Sequence, residues 1–164
     1  GPPLFDHLML SGGSTALPGW TVTGDGIDYI SDWQAFDGTR SVDLDASPGL
    51  GGVRQTITTV PGTRYLLTFA MAGNPAGPPE PKMMRVFAGE HSALFTFDAT
   101  GRTIGSMGWT RKSWEFVATG TSTTLAFSSA DPYPGLNGPA LDSVSVRALP
   151  FVVDSTVRSS AGAE

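Results

Sequence analysis

The sequence contains no cysteine, which excludes a disulfide framework and thiolate chemistry. Histidine is also scarce: His7 and His91 are the only two, and neither stands in metal-ligand spacing with a second histidine or a carboxylate pair. A zinc site is therefore not indicated. No apolar run approaches the roughly 20 residues that a membrane-spanning helix needs, so no membrane span is predicted in this chain.

Charged residues are few, at 15% of the chain, and the net charge is −5. The ten basic residues are scattered along the sequence, which argues against nucleic acid as a partner. A hydrophobic fraction of 40% supplies enough apolar surface for a folded core. We expect one domain over residues 1–149, followed by a tail or linker at 150–164, where small polar residues take over.

What the chain has in quantity is glycine (21) and proline (13), which suits short strands joined by turns. Alternation of apolar and polar residues predicts strands whose side chains point to opposite faces in turn. About ten are expected, including Ile27–Ile30, Ser41–Asp45, Val53–Thr58, Arg64–Met71, Lys82–Ala88, Phe95–Asp98, Ser113–Ala118, Thr123–Ser128 and Ala140–Arg147. Val60-Pro61-Gly62-Thr63 has the chemistry of a type II turn between two of them.

This pattern predicts an all-β fold, a two-sheet antiparallel sandwich of jelly-roll or immunoglobulin-like type. The missing spacing of cysteines and tryptophan counts against a true immunoglobulin domain. A catalytic alternative would use Glu115, with Asp43 as a second carboxylate, in a glycoside hydrolase arrangement. Because carboxylates on exposed strands are ordinary, we interpret both as lying on a solvated sheet face and expect no enzyme.

Asp142 alternates in phase with Val144 and Val146, which predicts that its carboxylate points inward with them. A buried carboxylate needs compensation, and Ca²⁺, an arginine or backbone amides would each supply it. The spacing leaves these three alternatives open.

Two proline-rich loops, 73–81 and 130–138, are stiff enough to present side chains to a ligand at low entropic cost. Aromatic faces in loops stack on sugar rings, while neighbouring amide and guanidinium groups bind hydroxyls. The predicted ligand-binding residues are Trp33, Asn74, Arg85, Trp109, Tyr133 and Asn137. For the loop aromatics, a packing role is equally compatible with the sequence.

An ordered set of short motifs gives the chain a family resemblance over roughly residues 4–148. It resembles the choice-of-anchor C proteins, relatives of the plant cell-wall domain of unknown function 642. The motifs are Leu17-Pro18-Gly19-Trp20, Trp33-Gln34, Asp37-Gly38, Ser41-Val42-Asp43-Leu44, Val60-Pro61-Gly62, Ala72-Gly73-Asn74-Pro75, Met107-Gly108-Trp109 and Gly138-Pro139-Ala140-Leu141-Asp142.

The resemblance implies a galactose-binding-like jelly roll in a secreted or cell-surface protein, with polysaccharide binding and no established catalysis. It also implies a structural calcium held by Asp142, by the loop around Asp37 and by an acidic residue near the start, for which Asp6 would stand in. The expected function is a non-catalytic carbohydrate-binding module that recognises cell-wall or matrix polysaccharide. The alternative is an adhesin-like interaction module with a cell-wall protein as its partner.

Overall fold

The computed structural model describes residues 7–46 and 49–151, and within them it contains β-strands and no helix. The strands are β1 (His7–Ser11), β2 (Thr21–Gly24), β3 (Gly26–Ile30), β4 (Ser41–Asp43), β5 (Asp45–Ala46), β6 (Gly49–Thr58), β7 (Arg64–Gly73), β8 (Lys82–Ala88), β9 (His91–Phe97), β10 (Thr110–Val117), β11 (Ser122–Ser129) and β12 (Pro139–Ala148).

These strands form two antiparallel sheets. The front sheet has the order β1-β3-β4-β12-β7-β10, and the back sheet has the order β2-β6-β11-β8-β9, with the short β5 paired to β6. Neighbours in both sheets are often distant in sequence, as when β12 lies between β4 and β7. The predicted all-β, two-sheet jelly-roll sandwich is confirmed.

The core lies between the inner faces of the two sheets. On β7 the residues Tyr65, Leu67, Phe69 and Met71 are buried in alternation, as the period of two requires. Phe69 packs edge-on against Phe95 and Phe127 of the back sheet, with ring centroids 5.1 and 5.3 Å apart. Burying each such aromatic side chain contributes roughly 2–3 kcal/mol, so this contact ties the sheets together.

Most strand predictions are confirmed, and the segment Lys82–Ala88 is a strand with those bounds. Gly62 has a φ of +81°, and the Thr63 amide donates to the Val60 carbonyl at 3.1 Å, as the predicted turn requires. Two strands at the start of the chain, β1 and β2, were missed, because their short segments carry little alternation. The predicted strand Ser41–Asp45 is interrupted at Leu44.

The prediction that Asp142 faces the core in phase with Val144 and Val146 is wrong, because β12 contains a bulge. Asp142 pairs with Ala70 of β7, whereas Ser145 pairs with Thr68, so β12 has one residue more than its partner between these pairs. Ser143 takes a φ of +50° at this point. The extra residue turns Val144 and Val146 inward and leaves Asp142 on the outer face of the front sheet.

Candidate functional site

Four loops fold over one end of the outer face of the front sheet: residues 31–40, 73–81, 98–109 and 130–138. Hydrogen bonds join them in pairs. The Gln34 amide donates to the Ile104 carbonyl at 2.7 Å, and the Met107 amide donates to Gln34 Oε1 at 3.2 Å. Asn74 Nδ2 donates to the Leu136 carbonyl at 3.1 Å. The loops are thus held by backbone groups and present a defined surface.

The first feature of this surface is a groove of about 330 Å³ over β1 and β3. Its wall is mostly apolar, and Met9, Ile104 and Leu136 are each more than half exposed there. The remaining lining residues are His7, Asp28, Ile30, Asp32, Trp33 and Asn74.

Asp28 is the polar group on the floor of this groove. Its Oδ1 is buried without a hydrogen-bond partner among the described residues. Burial raises the pKa of this carboxyl, and the nearby His7 imidazole partly offsets that effect. At the rim, His7 Nδ1 lies 3.7 Å from Asp32 Oδ2. A donor on a ligand, such as a hydroxyl, would satisfy the open Asp28 oxygen.

The second feature is an aromatic ledge formed by Phe36, Trp109 and Arg111. The Phe36 and Trp109 rings meet edge-on with centroids 6.4 Å apart, and Trp109 Nε1 donates to the Gln34 carbonyl at 2.7 Å. The Arg111 guanidinium lies over the Phe36 ring, 4.8 Å from its centroid. Trp109 was among the predicted ligand-binding residues, whereas Phe36, which directly precedes the Asp37-Gly38 motif, was not.

Asp142 supports the ledge from below. Its Oδ2 accepts hydrogen bonds from the amides of Phe36 and Asp37 at 2.9 and 3.1 Å, and its Oδ1 accepts one from the Ser143 amide at 2.7 Å. Backbone amides, one of the three alternatives left open by the sequence, therefore satisfy this carboxylate. Asp37 Oδ1 accepts the Gly38 amide at 3.0 Å.

These contacts bear on the predicted calcium site. In residues 7–46 and 49–151, no cluster of three or more His, Asp or Glu side chains could hold a metal ion. Asp6, the third member of the predicted set, lies outside the described residues. The described members, Asp37 and Asp142, accept N–H donors, and calcium at this position stays a prediction.

A group of buried carboxylates lies beneath the proline-rich loops. Asp43 accepts hydrogen bonds from the amides of Asp45 and Gly138 at 2.9 and 3.1 Å, and from Asn74 Nδ2 at 2.9 Å. Asp131 Oδ1 accepts the Met83 amide at 2.6 Å, which fixes the start of loop 130–138. Because Asn74 also accepts the Ala76 amide, its side chain has a structural role in this network.

Asp45 is fully buried within the same group. Ser129 and Asp131 adjoin its carboxyl, yet no well-formed hydrogen bond reaches either oxygen within the described part of the chain. Burial raises the pKa of Asp45 to about 7, and repulsion from Asp131 adds to the effect. The buried Lys82 ammonium, which donates to the Gly77 carbonyl at 2.5 Å and lies 3.3 Å from Glu80 Oε1, offsets part of the negative charge.

The predicted ligand-binding residues do not all converge. Trp33 is only 6% exposed and its Nε1 donates to Ser41 Oγ at 2.5 Å, so it lines the groove as a mostly packed side chain. Arg85 lies on the outer face of the back sheet, away from the loops. Tyr133 is 49% exposed on loop 130–138. The Asn137 amide packs close to the backbone at Gly77, where it joins the two proline-rich loops.

The two carboxylates of the catalytic alternative are far apart. Asp43 lies on β4 and Glu115 on β10, with β12 and β7 between them. Three strand spacings and the offset in register separate their Cα atoms by about 24 Å, against the roughly 5–9 Å that glycoside hydrolysis requires. The solvated position predicted for both is correct for Glu115 but wrong for Asp43, which is buried beneath the proline-rich loops. This pair cannot act together on one glycosidic bond.

The sheet order, the buried inter-sheet core and the loop-covered outer face define a jelly-roll sandwich domain. The profile of the family "Protein of unknown function (DUF642)" matches residues 4–147, and the chain belongs to this family. Within the described residues, no helix has the length and apolar character needed to cross a membrane.

Two curated relatives show similar sequences. Halomucin of Haloquadratum walsbyi is 32% identical over 147 residues, which cover 86% of this chain and 2% of halomucin. The Arabidopsis thaliana protein DUF642 L-galactono-1,4-lactone-responsive gene 1 is 26% identical over 142 residues, which cover 82% of this chain and 36% of that protein. The chain thus spans only a small part of halomucin and about a third of the plant protein.

Solved structures with the same fold include carbohydrate-binding modules. TmCBM61, solved in complex with beta-1,4-galactotriose, superposes with a TM-score of 0.59 at 14% identity, and covers 84% of this chain and 92% of its own. A family 16 carbohydrate-binding module superposes with a TM-score of 0.56 at 14% identity, covering 85% of this chain and 99% of its own. At this identity the likeness concerns the fold.

Proposed function

We propose that this domain is a non-catalytic carbohydrate-binding module whose ligand lies on the loop-covered end of the front sheet. The observation that carries the proposal is the aromatic ledge: Phe36 and Trp109 are held edge-on to each other, and the Trp109 N–H is fixed by Gln34. A rigid aromatic surface loses little entropy when it stacks on the C–H face of a sugar ring. Carbohydrate-binding modules among the structural neighbours support the same reading.

The groove supplies the polar contact that sugar recognition needs beside apolar surface. Asp28 Oδ1 has no partner in the described structure and faces a wall formed by Met9, Ile104 and Leu136. Binding sites of this type combine apolar walls with a few convergent polar groups. A sugar hydroxyl donating to Asp28 would remove the desolvation cost of the unpaired oxygen.

The test is a glycan array probed with the whole chain, followed by titration of the strongest ligand. Trp109→Ala should weaken binding about tenfold or more, since loss of one aromatic stacking contact costs roughly 1–3 kcal/mol. Trp20→Ala is unsuitable as a control because Trp20 packs on Phe127. Tyr133→Ala, which removes an exposed aromatic from loop 130–138, shows whether that loop takes part. An absence of binding to every glycan would overturn the proposal.

A protein-docking function is the second candidate, because the groove exposes Met9, Ile104 and Leu136 by 54%, 58% and 60%. Contiguous exposed apolar side chains are typical of interaction surfaces. A cell-wall protein that binds the domain and loses affinity with Ile104→Ser, while glycans do not compete, would favour this function.

An extracellular or cell-surface location fits a domain of this kind, and proteolysis of intact cells tests it. We predict separately that Ca²⁺ binds through the carboxylates of Asp142, Asp37 and Asp6. If the ion is structural, chelation should lower the melting temperature, and Asp6→Ala should remove that response.

A further inference from the structure

The remainder of the front sheet's outer face, beyond the loops, is open and carries a concentration of arginine. Strand pairing places the outward-facing side chains in three rows that cross β12, β7 and β10 in that order. The rows are Asp142, Ala70 and Arg111, then Ser145, Thr68 and Ser113, and last Arg147, Leu66 and Glu115. Arg64 lies beyond the third row on β7. We name this surface the arginine face. Hydroxyl-bearing side chains occupy its centre, and Arg64, Arg111 and Arg147 are all exposed.

Three arginines and two carboxylates, Glu115 and Asp142, lie on this face, so their charges leave an excess of +1. Glu115 lies 3.7 Å from Arg64, and both side chains are about half exposed, so this ion pair is weak and screened. Asp142 adjoins Arg111 and offsets its charge, while its two oxygens accept three backbone amides. Arg147 shares its row with Glu115, two strands away on β10, and Glu115 is the carboxylate that pairs with Arg64.

Three further carboxyl groups lie on the other side of the same outer face. Asp28 and Asp32 line the groove over β1 and β3, and Asp43 lies on β4. The arginines Arg64, Arg111 and Arg147 are therefore gathered at one side of the outer face, over β12, β7 and β10. Their excess of positive charge attracts an anionic ligand to this side, even though the whole chain carries a net charge of −5.

We infer that the arginine face binds a polysaccharide that carries uronate carboxylates, with the aromatic ledge holding a sugar ring at one end. This inference rests on the proposed function. Guanidinium groups bind carboxylates through paired hydrogen bonds, and the central serine and threonine hydroxyls match sugar hydroxyls. Arg111 and Arg147 are about 16 Å apart at Cα, from two strand spacings and four residues along the strand, which suits a chain of sugars better than a single one.

The experiment compares alginate, a polyuronate, with carboxyl-reduced alginate, which has a matching backbone without the charge. The double substitution R111Q/R147Q removes two charges from the arginine face. R54Q/R85Q removes two charges from exposed arginines on the outer face of the back sheet and is the matched control. Melting temperatures verify that both variants fold.

We expect alginate to bind at least about tenfold more tightly than the reduced polymer, and R111Q/R147Q to remove that preference while R54Q/R85Q keeps it. Raising the ionic strength from about 0.05 to about 0.5 M should weaken alginate binding.

Equal affinity for the two polymers, or equal loss of affinity in both variants, would overturn the inference. So would dextran sulfate binding as tightly as alginate, since that marks a surface without carboxylate preference. Binding of neutral glycans alone refutes the uronate inference and leaves the proposed function standing, whereas no binding to any glycan refutes the proposed function.

Discussion

The buried carboxyl of Asp45 should make the stability of this domain depend on pH in an unusual direction. Its pKa is 3.8 in the unfolded chain and about 7 in the folded one, chiefly because of burial. The folded state then keeps a proton that the unfolded state releases. The contribution of Asp45 to the free energy of unfolding is fully present below about pH 4 and is lost as the pH rises through 7.

The magnitude follows from that difference in pKa. It corresponds to at most about 4 kcal/mol. Asp131 shares the site and Lys82 lies nearby, so the realised loss should be smaller, about 1–3 kcal/mol between pH 4 and pH 8. For a domain of this size that lowers the melting temperature by roughly 3–10 °C. Burial also raises the pKa of Asp131, Asp43 and Asp28, which acts in the same direction.

The assay is urea unfolding at a series of pH values for the wild type and for Asp45→Asn. The amide introduced at position 45 carries no charge at any of these pH values and can donate to Asp131 Oδ2, so the pH slope should flatten. Glu90→Gln, in the exposed turn between β8 and β9, is the control and should keep the wild-type slope. If wild-type stability stays constant or rises from pH 5 to pH 8, or if Asp45→Asn keeps the full slope, the reasoning about this buried carboxyl is refuted.

Three further substitutions test packing and support around the site. Gly138→Ala should cost about 2 kcal/mol or more of unfolding free energy, because its Cβ would meet Asp43 Oδ1 at 2.5 Å; a near-neutral result by thermal melting contradicts this. Ser143→Gly should stabilise the domain by up to about 1 kcal/mol, since glycine adopts the φ of +50° more readily; a lower melting temperature would count against it. Asp142→Ala should cost about 1–3 kcal/mol and weaken glycan binding, because the amides that hold Phe36 lose their acceptor; unchanged binding would remove Asp142 from this role.

The fold could be predicted from local patterning, because strands such as β7 and β11 alternate buried and more exposed residues over 64–69 and 122–127. Strands β1 and β2 could not, since β1 has only one buried residue and β2 has only four residues in all. The break at Leu44 was also invisible, as it arises where β5 leaves the front sheet to pair with β6.

The site was predicted less completely because it depends on which loops meet. Trp33 and Trp109 look alike in sequence, yet Trp33 is buried against Ser41 whereas Trp109 is only partly buried. Phe36 had no signal of its own, and its role comes from contacts with Trp109 and Arg111 on other segments. The grouping of Arg64, Arg111 and Arg147 likewise appears only when β12, β7 and β10 are placed side by side.

The bulge at Ser143 divides β12 into two short segments that differ in their strand partners. At Ala140 and Leu141 the strand pairs with both β4 and β7, whereas from Ser145 onward it pairs with β7 alone. Deleting Ser143 would restore an even ladder and leave Val144 and Val146 inward and Asp142 outward, so it would change the direction of the chain without changing which side chains face the core. A relative that lacks this residue would therefore keep the same core, while loop 31–40, which Asp142 holds, would take a different orientation.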